Sequence, residues 1–199
     1  MGWTSYHATH YKNGRVDRKA ECDAYFLEGL NKGHYEVLKS CLKGSVYYAA
    51  VRPLMKYEGG DYTQLSLEER DVFAVIFLTS IDNNDYYNFS YKDMDETMGP
   101  YYYDCPDSIL NLLSPTDSEL ANEWRRKCIE QAKKPNISKL PIGTIIKFLM
   151  GNEEVKCIKH EPSYQFKTAF WMCLDGNTYI KKKQIPTDFE IVKLGGSYE

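Results

Sequence analysis

Val72-Phe73-Ala74-Val75-Ile76-Phe77-Leu78 is the stretch on which the fold turns. A short run that is apolar at every position has no solvent face, and it reads as a strand in the middle of a sheet, covered on both sides. Two more β-like runs precede it, Tyr35 to Leu42 and Ser45 to Val51, separated by Gly44, Pro53 and the Gly59-Gly60 pair. An antiparallel meander is the simplest assembly of the three. Further upstream, Gly2 to Lys12 reads as a strand ending at Asn13-Gly14, the dipeptide suited to a tight turn with positive φ. From Asp17 onward, Ala20, Ala24 and Leu27 fall at helical spacing beside Arg18, Lys19, Glu21 and Asp23, which predicts a short amphipathic helix.

Downstream of the central run, Cys105-Pro106-Asp107 opens a short helix through Leu113, with proline where its missing N–H costs little. Thr116 and Glu119 match a capping box, and Ala121, Trp124, Cys128, Ile129 and Ala132 form an apolar stripe ending at Lys133-Lys134-Pro135. These features make residues 1–134 an α+β domain, an antiparallel sheet with two to three helices. Residues 135–139 read as a polar, proline-containing linker. After it come five short strand-like segments: Thr144 to Met150, Val155 to His160, Phe166 to Leu174, Thr178 to Lys181 and Phe189 to Val192. Five short strands in about 60 residues remove their edges by closing, so residues 140–199 are expected to form a small SH3-like β-barrel or an open sheet.

Composition narrows the function. Of 199 residues, 43% are hydrophobic and 27% charged, which is ordinary for a folded globular chain and unlike disorder or a coiled coil. No apolar run reaches bilayer-spanning length, and the N-terminus lacks a basic start and an apolar signal core, so a cytoplasmic protein without membrane partners is expected. Net charge is −3, with 16 Lys and Arg against 21 acids in residues 1–134 and nine Lys against seven acids thereafter, which offers no general attraction to nucleic acid. The six cysteines have no metal-ligand spacing and no C-x-x-C pair, and they read as reduced, buried thiols. Gly-rich phosphate loops, a G-x-S-x-G elbow and an H-E-x-x-H helix are all missing. No cofactor, resident metal or catalytic residue is assigned on these grounds.

Three groups of residues carry candidate chemistry. Asp82 to Asp107 holds seven acids, six tyrosines and one lysine. Within it, Tyr86, Tyr87, Asp93, Asp95, Glu96, Tyr101, Tyr102 and Tyr103 suit docking to a basic partner surface, because tyrosine gives contact area at low entropy cost and acids steer the encounter. A solvated acidic loop explains the same composition, and hard-cation binding lacks the loop pattern it needs. Lys181, Lys182 and Lys183, with Tyr179, Lys147 and Lys167 nearby, suit a nucleic-acid face, although edge-strand lysines that block sheet association explain the same residues and are the commoner case. His7 and His10 stand three residues apart and, on a strand, face opposite sides, which opposes chelation of one ion. Tyr6-His7-Ala8-Thr9 also resembles the histidine-bearing first strand of ADP-ribosyltransferases, and the resemblance implies Tyr48 and Glu96 as the remaining members of such a site.

A longer resemblance covers most of residues 1–134. Met1-Gly2-Trp3-Thr4-Ser5-Tyr6-His7-Ala8-Thr9-His10-Tyr11-Lys12, Asp17 to Asp23, Lys92 to Pro100, Cys105 to Leu110 and the Trp124 helix resemble a family of small uncharacterised proteins carried by phages, plasmids and integrative elements of gut Firmicutes. Mobile-element cargo of this size often blocks host defence, as anti-CRISPR and antirestriction inhibitors do. The resemblance therefore implies a non-enzymatic accessory protein that binds and inhibits a host defence protein or nucleoprotein. A nucleic-acid-binding factor working through the C-terminal lysines is the alternative, and an enzyme centred on His7 and His10 is the third reading.

Overall fold

The computed structural model describes residues 3–81, 88–98, 102–186 and 188–196. The chain divides into two compact units, the first ending at Ala132 and the second starting at Lys133.

In the first unit the strands are β1 (Thr4–His7), β2 (Tyr11–Lys12), β3 (Arg15–Val16), β4 (Tyr35–Lys43), β5 (Val46–Pro53), β6 (Met55–Glu58), β7 (Asp61–Gln64), β8 (Phe73–Ile81) and β9 (Asn88–Asp95). The helices are α1 (Arg18–Leu27), α2 (Asp107–Leu110) and α3 (Glu119–Lys133). Five strands make one antiparallel sheet in the order β1-β9-β8-β5-β4, with β8 in the centre as its apolar run predicts. The meander β4-β5-β8 is present, and a small hairpin, β6-β7, is inserted between β5 and β8.

Strand alternation divides the core in two. Tyr47, Ala49 and Val51 of β5 and Val75 and Phe77 of β8 point to one face, where Cys22 and Phe26 of α1 cover them. Tyr48, Ala50, Ala74 and Ile76 point to the other, where Ile109 of α2 and Trp124 and Cys128 of α3 cover them. Every residue from Val46 to Val51 is buried, so β5 is as central energetically as β8. The result is a helix–sheet–helix arrangement, and the α+β expectation is met.

Local signals place the elements. Asn13 (φ +52°) and Gly14 (φ +71°) join β2 to β3 in a two-residue turn with both φ angles positive, the conformation the dipeptide favours. Asp17 caps α1 by accepting a hydrogen bond from the Ala20 amide at 3.1 Å. The cap of α3 is Ser118 instead of Thr116: its Oγ accepts from the Ala121 amide and its carbonyl from the Asn122 amide, while Thr116 Oγ1 takes the Ser118 amide. The apolar stripe of α3 is also narrower than its sequence spacing implies, because Ile129 is exposed.

The second unit holds β10 (Ile145–Met150), β11 (Glu153–His160), β12 (Phe170–Cys173), β13 (Tyr179–Ile180) and β14 (Glu190–Lys193). They form one antiparallel sheet in the order β13-β12-β11-β10-β14 around Ile146, Phe148, Cys157, Trp171, Ile180 and Phe189. No sheet closes into a barrel among the described residues. Residues 137–139, within the segment expected as linker, pack with this unit together with Leu140: Ile137 and Leu140 lie on its core, and the Ser138 and Leu140 carbonyls accept from Lys159 Nζ. No helix among the described residues is long and apolar enough to cross a membrane.

Candidate functional site

The acidic, tyrosine-rich segment contributes to a pocket in the first unit. Along β9 the residues Phe89, Tyr91, Asp93 and Asp95 alternate onto the α1 face, where Asp93 pairs in register with Phe77 and Asp95 with Val75. Helix α1 ends at Leu27 and leaves this end of the sheet uncovered. A cavity of about 200 Å³ opens there, with Tyr25, Phe26, Tyr35, Phe73 and Phe77 as aromatic walls and Asp93 and Asp95 among its lining residues. It is smaller than the usual range of about 300–1,000 Å³ for small-molecule sites and suits one long side chain better than a cofactor.

The walls are locked by edge-to-face packing. Tyr25 stands edge-on to Phe26, Phe77 and Tyr91 with ring centroids 5.0, 5.4 and 5.6 Å away, and Phe77 lies 4.8 Å from Tyr91. Burial, then the charge of Asp93, pushes the Tyr25 phenol above its ordinary range; burial, Tyr25 and Asp93 do the same for Tyr91. Both phenols therefore stay neutral, and the pocket's charge comes from carboxylates. Asp95 is held by its own turn, since its Oδ1 accepts from Thr97 N (2.9 Å), Thr97 Oγ1 (2.6 Å) and Met98 N (2.9 Å). Asp93 is exposed and makes no hydrogen bond or ion pair among the described residues. Carboxylates beside π faces attract a cation twice over, by charge and by ring quadrupole.

The other predicted residues do not share this surface. Glu96 is buried, and both its oxygens pair with Arg125 of α3, Oε2 with Nε at 2.7 Å and Oε1 with Nη2 at 2.8 Å. It also accepts the Ala74 amide just beyond the last β8–β9 ladder pair, so it ties helix to sheet and is not available to a partner. Tyr103 is half-buried against the α3-side core with Lys127 Nζ 5.3 Å from its ring centre. The neighbouring Tyr102 is exposed, and its carbonyl accepts from Trp124 Nε1. The sheet thus separates Asp93 and Asp95 on one face from the packing of Glu96 and Tyr103 on the other. Tyr86, Tyr87 and Tyr101 lie outside the described residues.

The histidine constellation is not assembled either. His7 pairs in register with Asn88, and the steps from Asn88 to Asp95 span about 23 Å at roughly 3.3 Å per residue, which puts Glu96 at the far end of β9. His10 sits instead beside acids of α1, its Nε2 3.2 Å from Glu28 Oε1 and its Nδ1 3.5 Å from Glu21 Oε2. Buried Glu21 in turn accepts the Thr9 and His10 amides, a tether for the loop between β1 and β2. No group of three or more His, Cys, Asp or Glu side chains that could hold a metal ion exists among the described residues.

In the second unit Lys181, Lys182 and Lys183 are all exposed, and Lys182 and Lys183 begin a single 3-10 turn, Lys182–Gln184. Lys147 is already paired with Glu190 at 2.9 Å, which raises its affinity for the proton and removes it from any free basic face. Sequence reasoning missed Tyr25, Tyr35 and Phe77, because a pocket made by the end of a helix over a sheet has no linear signature. It missed Lys159 as well, although alternation from Cys157 along β11 points that lysine inward. No family model, curated protein or solved structure matches the chain.

Proposed function

We propose that this protein is a non-enzymatic binding module that captures a basic side chain of a partner protein in the Tyr25–Phe77–Asp93 pocket. The observation that carries the proposal is an aromatic cradle closed on one side by a carboxylate that no other group in the described structure neutralises. An arginine or lysine of the partner fits this chemistry, stacking its charged head on the rings and pairing with Asp93. The resemblance to mobile-element cargo supplies the biological reading, in which the partner is a host defence protein or nucleoprotein and its occlusion is the inhibitory act. For the second unit, an SH3-like barrel remains part of the proposal. It is supported by the meander order, by β14 returning beside β10, and by the 3-10 turn between β13 and β14.

The test is capture of partners by the tagged full-length protein, with nuclease treatment, from a bacterium carrying CRISPR and restriction systems, followed by titration of the purified partner. The Asp93→Lys variant is the informative one, since Asp93 is exposed and its replacement leaves the core intact. A nuclease-resistant partner is expected whose affinity falls about tenfold or more with Asp93→Lys, equivalent to about 1.4 kcal/mol or more. A partner that binds Asp93→Lys and wild type equally overturns the pocket assignment. Failure to recover any partner overturns the inhibitor reading.

A further inference from the structure

Cys157 of β11 and Cys173 of β12 stand directly opposite one another in the sheet of the second unit. Strand alternation turns both side chains into its core beside Ile146 and Trp171, and their Sγ atoms are 3.5 Å apart. The ladder accounts for this closeness. Leu174 N donates to the Lys156 carbonyl at 2.9 Å, which makes Lys156 and Leu174 a hydrogen-bonded pair and the adjacent pair, Cys157 and Cys173, a non-hydrogen-bonded one. Residues in such pairs have Cα atoms about 4.5 Å apart and the closer side chains, within the span of about 4.4–6.8 Å that a disulfide bridges. Closing from contact to a bond of about 2.05 Å therefore needs no slip of the strands. The Cys105 thiol of the first unit is placed differently, with its Sγ directed at the Pro106 carbonyl 4.0 Å away.

The two sulfurs differ in access. Cys157 is fully enclosed, whereas Cys173 is 8% exposed and lines a surface cavity of about 480 Å³ together with Val155, Asp175 and Thr178. Burial, and then the hydrogen bond and charge of the Cys173 thiol, raise the Cys157 thiol well above its ordinary range. Cys157 thus keeps its proton, and Cys173 is the sulfur that a small oxidant entering from the cavity meets first. A thiol that meets the oxidant with a second thiol held against it is the arrangement by which sulfenic acids are resolved to disulfides.

We infer that Cys157 and Cys173 form a redox-active dithiol that hydrogen peroxide converts into a cross-strand disulfide. The Cys173 sulfur loses its proton and attacks one peroxide oxygen. The O–O bond breaks, that oxygen stays on sulfur as a sulfenic acid, and the other oxygen leaves with the proton as water. The Cys157 sulfur then attacks Cys173 Sγ, the S–O bond breaks, and the departing hydroxide takes the Cys157 proton as a second water. Two thiols have lost two electrons and two protons, and one peroxide has become two waters. The new bond pins the β11–β12 hairpin at the end remote from its connecting loop, since His160 and Phe170 already pair beside that loop. The site lies within the second unit and does not depend on the Asp93 pocket.

The experiment treats the folded full-length protein with a modest excess of hydrogen peroxide, removes the oxidant with catalase, alkylates the remaining thiols in urea and digests without reductant. Trypsin cuts after Lys156, Lys159, Lys167 and Lys181, so the two cysteines fall on separate peptides, residues 157–159 and 168–181. Mass spectrometry is expected to find these peptides joined in more than about half of the protein and separated again by dithiothreitol. Dimedone, which traps sulfenic acids, should label Cys173 about fivefold or more strongly in Cys157→Ala than in wild type, because the resolving sulfur is gone. Cys173→Ala should leave Cys157 recovered as an alkylated free thiol. The wild-type digest is decisive even where a variant is unstable. Recovery of Cys157 and Cys173 as unlinked thiols when half-buried Cys41 is already oxidised, or linkage of either to another cysteine of the folded protein, overturns the inference.

Discussion

Removing either partner of the Glu96–Arg125 pair is expected to destabilise the first unit severely. Glu96 is 2% exposed and Arg125 17%, and their two-pronged pairing joins the end of β9 to α3. Arg125 also donates to the Ser114 carbonyl at 2.6 Å, and Ser114 exchanges hydrogen bonds with Val72 at the entry to β8. Glu96→Ala leaves a half-sheltered guanidinium and the Ala74 amide without their acceptor; Arg125→Ala leaves a buried carboxylate. Breaking a buried pair from one side costs about 3–5 kcal/mol, and at a urea m-value of about 2 kcal/mol per M this lowers the midpoint by about 1.5–2.5 M. The assay is urea unfolding followed by tryptophan fluorescence in a Trp171→Phe background, where buried Trp124 reports the first unit. The double variant is expected to lose little more than either single one, because the second removal deletes a group that has already lost its partner. Midpoints within about 0.5 M of wild type, or losses that simply add, would refute the structural role and return Glu96 to the surface. It follows that a charge-reversal test of partner binding must leave Glu96 unchanged, since its loss of binding would report unfolding.

Gly195→Ala is expected to destabilise the second unit by at least about 2 kcal/mol, because the new Cβ would collide with the Ile142 carbonyl and the Gly195 amide holds the buried Thr144 hydroxyl; Gly196→Ala, with open space around it, leaves the melting temperature within about 1 °C. Tyr47→Phe removes one of three hydrogen bonds to Asp23, leaving those of Ser40 and Lys19, and thermal unfolding should show a loss of about 1.5–3 kcal/mol. Burial raises the thiols of Cys22 and Cys105 and pushes Cys128 and Cys157 up to about 12, so at pH 8 their thiolate fractions are minute. Mass spectrometry after iodoacetamide treatment should find half-buried Cys41 labelled first in the native protein, and labelling of Cys128 or Cys157 at the rate seen in urea would contradict this burial.

Much of the candidate site escaped a linear reading for a definable reason. Asp93, Asp95 and Glu96 are nearly contiguous and chemically alike, and composition treats them as one acidic patch. Strand geometry does not: Asp93 and Asp95 share the α1 face, whereas the turn after β9 carries Glu96 into the grip of Arg125, 29 residues further along the chain. Lys159 shows the converse. Its inward register was legible from Cys157, but a buried lysine is accounted for only when the carbonyls of residues 138 and 140 are brought to its ammonium.

Local physics was sufficient for several elements. The positive-φ turn at Asn13-Gly14, the Asp17 cap and the all-apolar run that becomes β8 are written in residues within a few positions of one another, so the linear chain was enough to specify them. Strand order, the faces on which acids and aromatics meet, and the pairing of buried charges depend on residues tens of positions apart. Those were settled in three dimensions alone, because the free energy of a buried carboxylate or ammonium is set by what the rest of the chain places against it.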